Sequence, residues 1–469
     1  MKFLDRTAEM ARLMRLSDAK AGGLAVLWGR RRIGKSELLK EWCRRTDGLY
    51  TVADRSASAV QRQNFAAALA TRLPGFDAAI YPTWKALFDA LSRQAHSADW
   101  HGPLAVDELP YWVESDESIV SVLQNWIDAE KRSGGLLVAF AGSSQHMMQG
   151  LVLDADSPIY GRADEKLKLQ PIGIQYLQKG LGIRSAQDAV KAYAVWGGVR
   201  RYWVSAERYR DRLDQALDEQ VLDPLGVFHE EPSTLLQSEI PSAISLKPYL
   251  DVIGMGANRV SEIAGRLGLP ATTVSKPLAR LVDLGLVKRE VPYGESEKNS
   301  KKSLYRIADP FCRLWFKVVA PRRSVFDNAP VAVRNSVWRS QSAALFAAEW
   351  EELARAHVAT SKRLSALAGE NDFWLPAGRW WSGNAPELDV VSFSGNGSRS
   401  LVGEAKWAEK PFDLSEVKRL VANLRQKTVP AHFPSVSTYV LFLSAVAPKV
   451  PRVVQGVQVV TAKDVCSGS

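Results

Sequence analysis

Gly29-Arg30-Arg31-Arg32-Ile33-Gly34-Lys35-Ser36 is the stretch on which the fold turns. It has the glycine, four-residue gap and Gly-Lys-Ser ending of a phosphate-binding loop. Leu24-Ala25-Val26-Leu27-Trp28 before it is an apolar run of strand length, and Ser36-Glu37-Leu38-Leu39-Lys40-Glu41-Trp42 after it has helical spacing. In that order, strand, turn and helix can wrap successive backbone N–H groups around an anion. Gly29 and Gly34 permit the tight turn, and the new helix adds its positive end. The candidate phosphate-binding residues are therefore Gly29, Arg30, Arg31, Arg32, Ile33, Gly34, Lys35, Ser36 and Glu37. Lys35 would reach the outer phosphates, and the Ser36 hydroxyl would hold Mg²⁺. A chance glycine turn is the bland alternative, and the flanking elements argue against it.

The chain has 469 residues, a length that suggests about three domains. Their expected limits are 1–235, 236–320 and 321–469. A net charge of +10 favours an anionic partner, most naturally nucleic acid. Cys43, Cys312 and Cys466 are too scattered for a disulfide framework or a metal site, which suits a reducing compartment. No apolar run approaches the ~18 residues of a membrane span, so no membrane partner is expected. Met1-Lys2-Phe3-Leu4-Asp5-Arg6 lacks a signal-peptide core, and the expected location is cytoplasmic.

In the first part, Leu49-Tyr50-Thr51-Val52 reads as a second strand. Gly102-Pro103-Leu104-Ala105-Val106-Asp107-Glu108 is an apolar strand ending in two acids. Nucleotide hydrolysis with Mg²⁺ needs such a pair: Asp107 to bind the metal through water, Glu108 to polarise the attacking water. Two solvated acids at a strand end are the plain alternative. Leu136 to Ala141 is a further buried strand, followed by Gly142-Ser143-Ser144. Ser143 or Ser144 suits a side chain that senses a terminal phosphate, or one that caps the next helix. Strands alternating with helices predict an α/β domain of three layers around a parallel sheet.

These segments, with Ser157-Pro158-Ile159-Tyr160-Gly161-Arg162 and Trp196-Gly197-Gly198-Val199 after them, resemble the archaeal-type ATPase family of P-loop proteins, a branch of the AAA+/STAND group. The resemblance implies ATP as the nucleotide, and no N-K-x-D string argues for GTP. It implies an arginine finger at Arg162, acting in cis or across a subunit interface of a homo-oligomer; a surface ion pair is the alternative. It places Phe3-Leu4-Asp5-Arg6 near the adenine. Where the family usually has proline after Gly-Gly-Val, this chain has Arg200-Arg201, either a phosphate sensor or ordinary surface charge. Helical patterns from about 166 to 235, including Asp188–Trp196 and Ala206–Leu222, are expected to form a lid over the nucleotide.

The middle part reads as a helix from Glu239 to Ile253, then an amphipathic helix at Arg259–Leu267 and a second carrying Leu278, Leu281, Val282 and Leu284. Pro277 fits if Ser275 is the N-cap and the proline sits in the first turn. Gly285–Val291 and Ser303–Ile307 read as antiparallel strands around a loop with Lys298, Lys301 and Lys302. Together these predict a winged helix. It would present Thr272, Thr273, Ser275 and Lys276 to a DNA groove and the lysine loop to phosphate, or serve only as a packing module.

In the last part, helical patterns at Val331–Ser340 and Ala344–His357 precede Glu387-Leu388-Asp389-Val390-Val391-Ser392-Phe393 and Ser400-Leu401-Val402-Gly403-Glu404-Ala405-Lys406. Asn396-Gly397 between them signals a two-residue hairpin. Counting outward sets Asp389 opposite Glu404 and Glu387 opposite Lys406, all on one face, with Leu388, Val390, Leu401 and Ala405 on the other. Facing carboxylates repel unless a cation lies between them, and Mg²⁺ suits such oxygen ligands. The D…E-x-K pattern resembles the PD-(D/E)xK nuclease superfamily, and in particular the domain of unknown function that follows archaeal-type ATPases. The resemblance implies a mixed α/β restriction-endonuclease-like fold, with Asp389, Glu404 and Glu351 as metal ligands and Lys406 as catalytic lysine. A solvated hairpin with a Glu387–Lys406 ion pair is the plain alternative. Helix Leu414–Leu424 and strands Ser437–Ser444 and Val457–Val460 complete this part.

The expectation that emerges is a Mg²⁺-dependent ATPase that binds nucleic acid, DNA favoured, and cuts it with its last domain. The alternatives are a STAND-type signalling or defence ATPase with a non-cleaving last domain, and a winged-helix regulator that senses nucleotide.

Overall fold

The computed structural model describes residues 3–19, 21–142, 148, 150, 159, 161–209, 212–239, 245–296, 302–383 and 387–467. Ser143, Ser144, Ser157, Pro158, Tyr160, Lys298 and Lys301 lie outside the described residues. The chain forms two compact units, Met1–Ile172 with Val199–Arg201, and Gly173–Gly198 with Tyr202–Ser469. From 173 onward, apart from 199–201, the segment expected as a lid belongs to the second unit.

The first unit is built on strands β1 (Gly23–Trp28), β2 (Leu49–Val52), β3 (Leu104–Asp107), β4 (Leu137–Gly142) and β5 (Glu165–Lys168). All pair in parallel, in the order β2-β3-β4-β1-β5. The unbroken apolar runs of β1 and β4 are explained by burial on both faces. Leu24, Val26, Val138 and Phe140 point into a core with Phe65, Trp84, Phe88, Trp112 and Trp126. Ala25, Leu27, Leu137 and Ala139 point the other way, against Leu38, Leu39, Trp42 and Cys43 of the helix Lys35–Thr46. Alternation along the strands thus makes the sheet the middle of three layers.

The second unit begins with helices, among them Ala186–Trp196. The single helix expected over 206–222 is replaced by a short helix Leu213–Leu217 running into a wide π turn, Asp218–Leu222. The cause is tertiary: Asp218 receives two bonds from Arg334 (3.0 and 3.0 Å), and Asp223 receives a third (2.8 Å). Arg334 and Asp218 are both buried. Arg334→Ala would strand that carboxylate, so it should lower stability by about 3–5 kcal/mol. Urea unfolding followed by tryptophan fluorescence checks this; a loss well under about 1 kcal/mol would put the pair in the class of surface contacts.

Glu231–Glu239 and Lys247–Gly254 are separate helices, the second with Pro248 in its first turn, where a missing N–H costs nothing. Val260–Leu267 and Ala271–Asp283 follow, joined through Gly268 in a left-handed conformation. The expected N-cap at Ser275 is not used. The helix begins at Ala271, with Pro270 as its N-cap, and Pro277 lies inside it. Burial of Val274, Leu278 and Leu281 on one face holds the helix through the lost hydrogen bond. Strands β6 (Val287–Glu290) and β7 (Leu304–Ile307) pair antiparallel as the pattern required. Lys302 of the lysine loop is paired with Glu295 at 2.7 Å.

The two helices expected over 331–357 are one 30-residue helix, Val331–Thr360, because Gln341-Ser342-Ala343 contains no breaker. It packs on a mixed sheet of β8 (Gly378–Trp380), β9 (Leu388–Phe393), β10 (Arg399–Lys406), β11 (Ser435–Leu443), β12 (Val453–Val454) and β13 (Val457–Thr461). The order is β12-β13-β11-β10-β9-β8, with β10, β11 and β13 parallel and the other pairs antiparallel.

Candidate functional site

The phosphate loop follows β1 as expected. Gly29, Arg32 and Gly34 have φ of 148, 67 and 106°. A side chain at Gly29 would put its Cβ 2.8 Å from the Leu169 carbonyl oxygen, so only glycine fits there. Lys35 is 5% exposed, and its ammonium bridges the loop to the carbonyls of Gly29 (2.8 Å) and Arg30 (3.1 Å). Strand β4 lies between β1 and β3, yet the loop and the end of β3 meet directly: the Ser36 hydroxyl donates to Asp107 Oδ2 at 2.5 Å. Tyr50 on β2 donates to the same oxygen (2.9 Å), and the Glu108 N–H donates to Oδ1 (3.0 Å). Burial, and then the Asp107 charge, push the Tyr50 hydroxyl above its usual value, so it stays a donor. Glu108 has φ of 56°, a conformation that disfavours side chains and concentrates at functional positions.

These residues fit a Mg-nucleotide: a serine hydroxyl and a carboxylate converge beside an ammonium and a loop of main-chain N–H groups. Four further arginines can be placed. Arg162 makes a two-pronged pair with Asp128, at 2.8 and 2.9 Å, and this guanidinium holds the Asp128 carboxyl below its usual value. Arg6 is buried and donates to the carbonyls of Ile33 (3.2 Å) and Gln170 (2.7 Å), which clamps the loop from behind. Arg200 lies over the loop: its Cδ is 3.4 Å from where a Gly34 Cβ would be, and it faces Glu37 at 3.4 Å. The Arg201 N–H reaches the Arg32 carbonyl at 3.4 Å. The sequence sets Arg6 near the base and leaves Arg200 as either a phosphate sensor or surface charge, its signal being the break with the usual proline.

In the second unit, β9 and β10 pair Ser400 with Phe393 through Gly403 with Val390. This is the expected register, and its continuation sets Glu404 opposite Asp389. The turn is longer than expected: Ser394 N–H bonds the Arg399 carbonyl, leaving Gly395–Ser398 as the loop. The loop is centred on the same pair, so the facing residues are unchanged. The face carrying the acids is not a solvated one. Val391 and Val402 on that side pack against Val417, Val421 and Leu424 of the helix Leu414–Gln426.

Glu404 is 6% exposed. Its Oε1 lies 2.5 Å from Lys406 Nζ and 3.4 Å from Lys427 Nζ, while Oε2 is buried with no hydrogen-bond partner among the described residues. Asp389 Oδ2 accepts the Ala405 N–H at 3.0 Å, and burial pushes its carboxyl up. Glu351 is also pushed up, by burial and then by Asp389. Burial alone would lower Lys406, but Glu404 beside it prevails, and the ammonium is held above its usual value. Lys406 is therefore a charge donor at neutral pH. The Glu387–Lys406 pair of the plain alternative does not form among the described residues; Glu387 pairs with Arg379 at 3.0 Å. Lys427, just past the helix, is a second lysine that no spacing rule revealed. An orphaned carboxylate oxygen beside a second acid fits a hard cation that keeps most of its waters. Among the described residues, no three His, Cys, Asp or Glu side chains form a ready metal cage.

Comparison with known proteins bears on both units. Residues 3–202 match the family model described as an ATPase domain predominantly from Archaea. Residues 315–420 match that of archaeal and bacterial proteins of unknown function. An uncharacterized protein of Methanocaldococcus jannaschii is 24% identical over 426 residues, 91% of this chain and 92% of its own length. The Walker-type ATPase of Pyrococcus abyssi is similar in structure over 67% of this chain and 96% of its own, with a TM-score of 0.52 and 18% identity. The ORC2 protein of Aeropyrum pernix, in its ADPNP and ADP complexes, covers 73% and 95%, with a TM-score of 0.45 and 14% identity. No helix among the described residues is long and apolar enough to cross a membrane. The chain thus carries an ATPase domain of the kind found predominantly in Archaea, followed by a domain from a family of archaeal and bacterial proteins whose function is unknown.

Proposed function

We propose that the first unit binds and hydrolyses ATP, and that the second grips nucleic acid, DNA in preference, and cleaves it at Asp389, Glu404 and Lys406. The observation that carries the first half is the Ser36–Asp107 contact at 2.5 Å, with Glu108 next in the chain. In this reading Ser36 and Asp107 would hold Mg²⁺, which would supply positive charge beside the triphosphate. Lys35 and the loop N–H groups bind the outer phosphates, and Glu108 orients the attacking water and accepts its proton. Arg200 adds a cation at the loop mouth. Arg200→Ala should weaken ATP binding roughly tenfold, read by calorimetry at low and high salt; an unchanged affinity would return Arg200 to the class of surface charges. Arg162 serves as a finger only if it leaves Asp128.

For nucleic acid, the two helices and the β6–β7 hairpin are read as a winged helix. Thr272, Thr273, Ser275 and Lys276 are exposed, while Val274 and Leu278 between and after them are buried. That division is what a groove-reading helix needs. For cleavage, Asp389 and Glu404 would hold a Mg²⁺ that activates water toward a phosphodiester, with Glu351 as a further acid and Lys406 as an ammonium facing the developing charge. The reading of a last domain that binds without cutting draws on one observation, the lack of a ready three-ligand cage among the described residues. The purified full chain should release phosphate from ATP and nick linear or branched DNA, both only with Mg²⁺. Phosphate release without cleavage of any DNA form would leave the non-cleaving reading.

A further inference from the structure

Within the second unit, the β6–β7 hairpin and the C-terminal sheet border a cavity of about 530 Å³. Lys288 lines it from the hairpin, Arg355 and Ala356 from the long helix, and Gly378 and Arg379 from β8. Tyr293 fixes its shape. The Tyr293 N–H donates to the Arg379 carbonyl (2.9 Å), and its hydroxyl accepts the Phe393 N–H (3.2 Å). A Cβ at Gly378 would meet the Tyr293 ring at 2.7 Å, so the ring packs directly on the backbone of β8.

Charge in these walls is unevenly spent. Lys288 pairs with Glu290 (3.2 Å) and Glu352 (2.6 Å), and Glu352 is shared with Arg313 (2.8 Å). Glu295 also lines the cavity and pairs with Lys302. Arg379 gives Nη1 to Glu387 (3.0 Å) and faces Glu290 through Nη2 (2.7 Å). Its Nε, like Nη2 of Arg355, is buried and meets no acceptor among the described residues. Arg355 and Arg379 are 8% and 6% exposed. Arg306 behind them is held below its usual value by burial and then by the charge of Arg379. Buried guanidinium N–H groups without partners need an acceptor, and the planar fork of arginine suits a phosphate oxyanion. The same two arginines touch the acid-bearing strand: Arg355 Nη1 donates to the Asp389 carbonyl at 3.0 Å, and Arg379 holds Glu387.

We propose that this cavity is a phosphate-binding subsite that takes one backbone phosphate of the nucleic acid, so that a neighbouring phosphodiester meets Asp389, Glu404 and Lys406. The inference rests on the nucleic-acid reading above; a free inorganic phosphate offers the same chemistry and is the other source of ligand. Two variants test it. Arg379→Gln removes a cation but also disturbs a buried ion pair. Ala356→Glu adds a carboxylate from an exposed helix position that lines the cavity and removes no contact.

Binding of a labelled DNA duplex to the full chain is followed by fluorescence anisotropy across a salt series, with inorganic phosphate titrated separately. Both variants should weaken duplex binding about five- to tenfold and reduce the salt slope by about one. Wild-type affinity and slope in Ala356→Glu overturn the subsite, even if Arg379→Gln binds poorly, because that pattern is a folding effect. Phosphate binding that Ala356→Glu abolishes, in a protein that ignores DNA, keeps the anion site and removes the nucleic-acid reading. Normal DNA binding that neither variant alters removes the subsite alone.

Discussion

Replacing Lys35 with alanine is expected to lower ATP turnover by roughly two to three orders of magnitude, the loss seen when one preorganised charge donor is removed from a reaction centre. Lys35 is buried, and its ammonium is held by the Gly29 and Arg30 carbonyls at 2.8 and 3.1 Å. A triphosphate would supply better acceptors at the same place. The loop itself should survive the change. Its shape is held by the left-handed residues at 29, 32 and 34 and by Arg6 bonded to the Ile33 carbonyl, so the melting temperature should move little. Phosphate release and a calorimetric ATP titration with Mg²⁺ give the readout. Turnover at the wild-type rate in Lys35→Ala would remove the phosphate loop from the chemistry.

The second large effect is expected at the other end of the chain. Asp389→Asn together with Glu404→Gln should erase Mg²⁺-dependent DNA cleavage, by at least about 10³-fold, and leave ATP turnover unchanged. The amides keep the shape of both side chains and remove the charge that a divalent cation needs. The sign of the stability change separates this from damage to the fold. Burial pushes the Asp389 carboxyl up, so the folded chain holds that proton more tightly than the unfolded chain. Stability from this group is present below the ordinary carboxylate value and falls as pH rises through it toward the folded value. At neutral pH the charged form is a cost, so Asp389→Asn alone should melt no lower than wild type. A double variant that folds and still cuts DNA with Mg²⁺ would take Asp389 and Glu404 out of the reaction.

Much of this was legible along the chain because it depends on near neighbours. Apolar runs such as Leu24 to Leu27 are strands buried on both faces, and they read as such. The β9–β10 register followed from a turn centred on Asn396-Gly397, and a longer loop with the same centre left the facing pairs intact. Helix ends were less readable. Pro277 suggested a late start for its helix, but burial of Val274 and Leu278 outweighs one missing hydrogen bond. The π turn at Asp218–Leu222 answers to Arg334, more than a hundred residues away. Lys427 escaped because it meets Glu404 across the fold. For the same reason the sequence could name Arg6 and Arg200 without showing which distant segments they touch.

By itself the sequence determined the parallel α/β core, the loop at 29–36, the acids that end β3 and the facing pair Asp389 and Glu404, because strand alternation and turn geometry are local rules. Only the tertiary structure decided that Ser36 meets Asp107, that Lys406 meets Glu404, that Glu387 turns to Arg379, and that guanidinium N–H groups beside the acid strand meet no acceptor among the described residues. Those outcomes depend on burial and on which charges face each other, and both are properties of packed elements rather than of the order of residues along the chain.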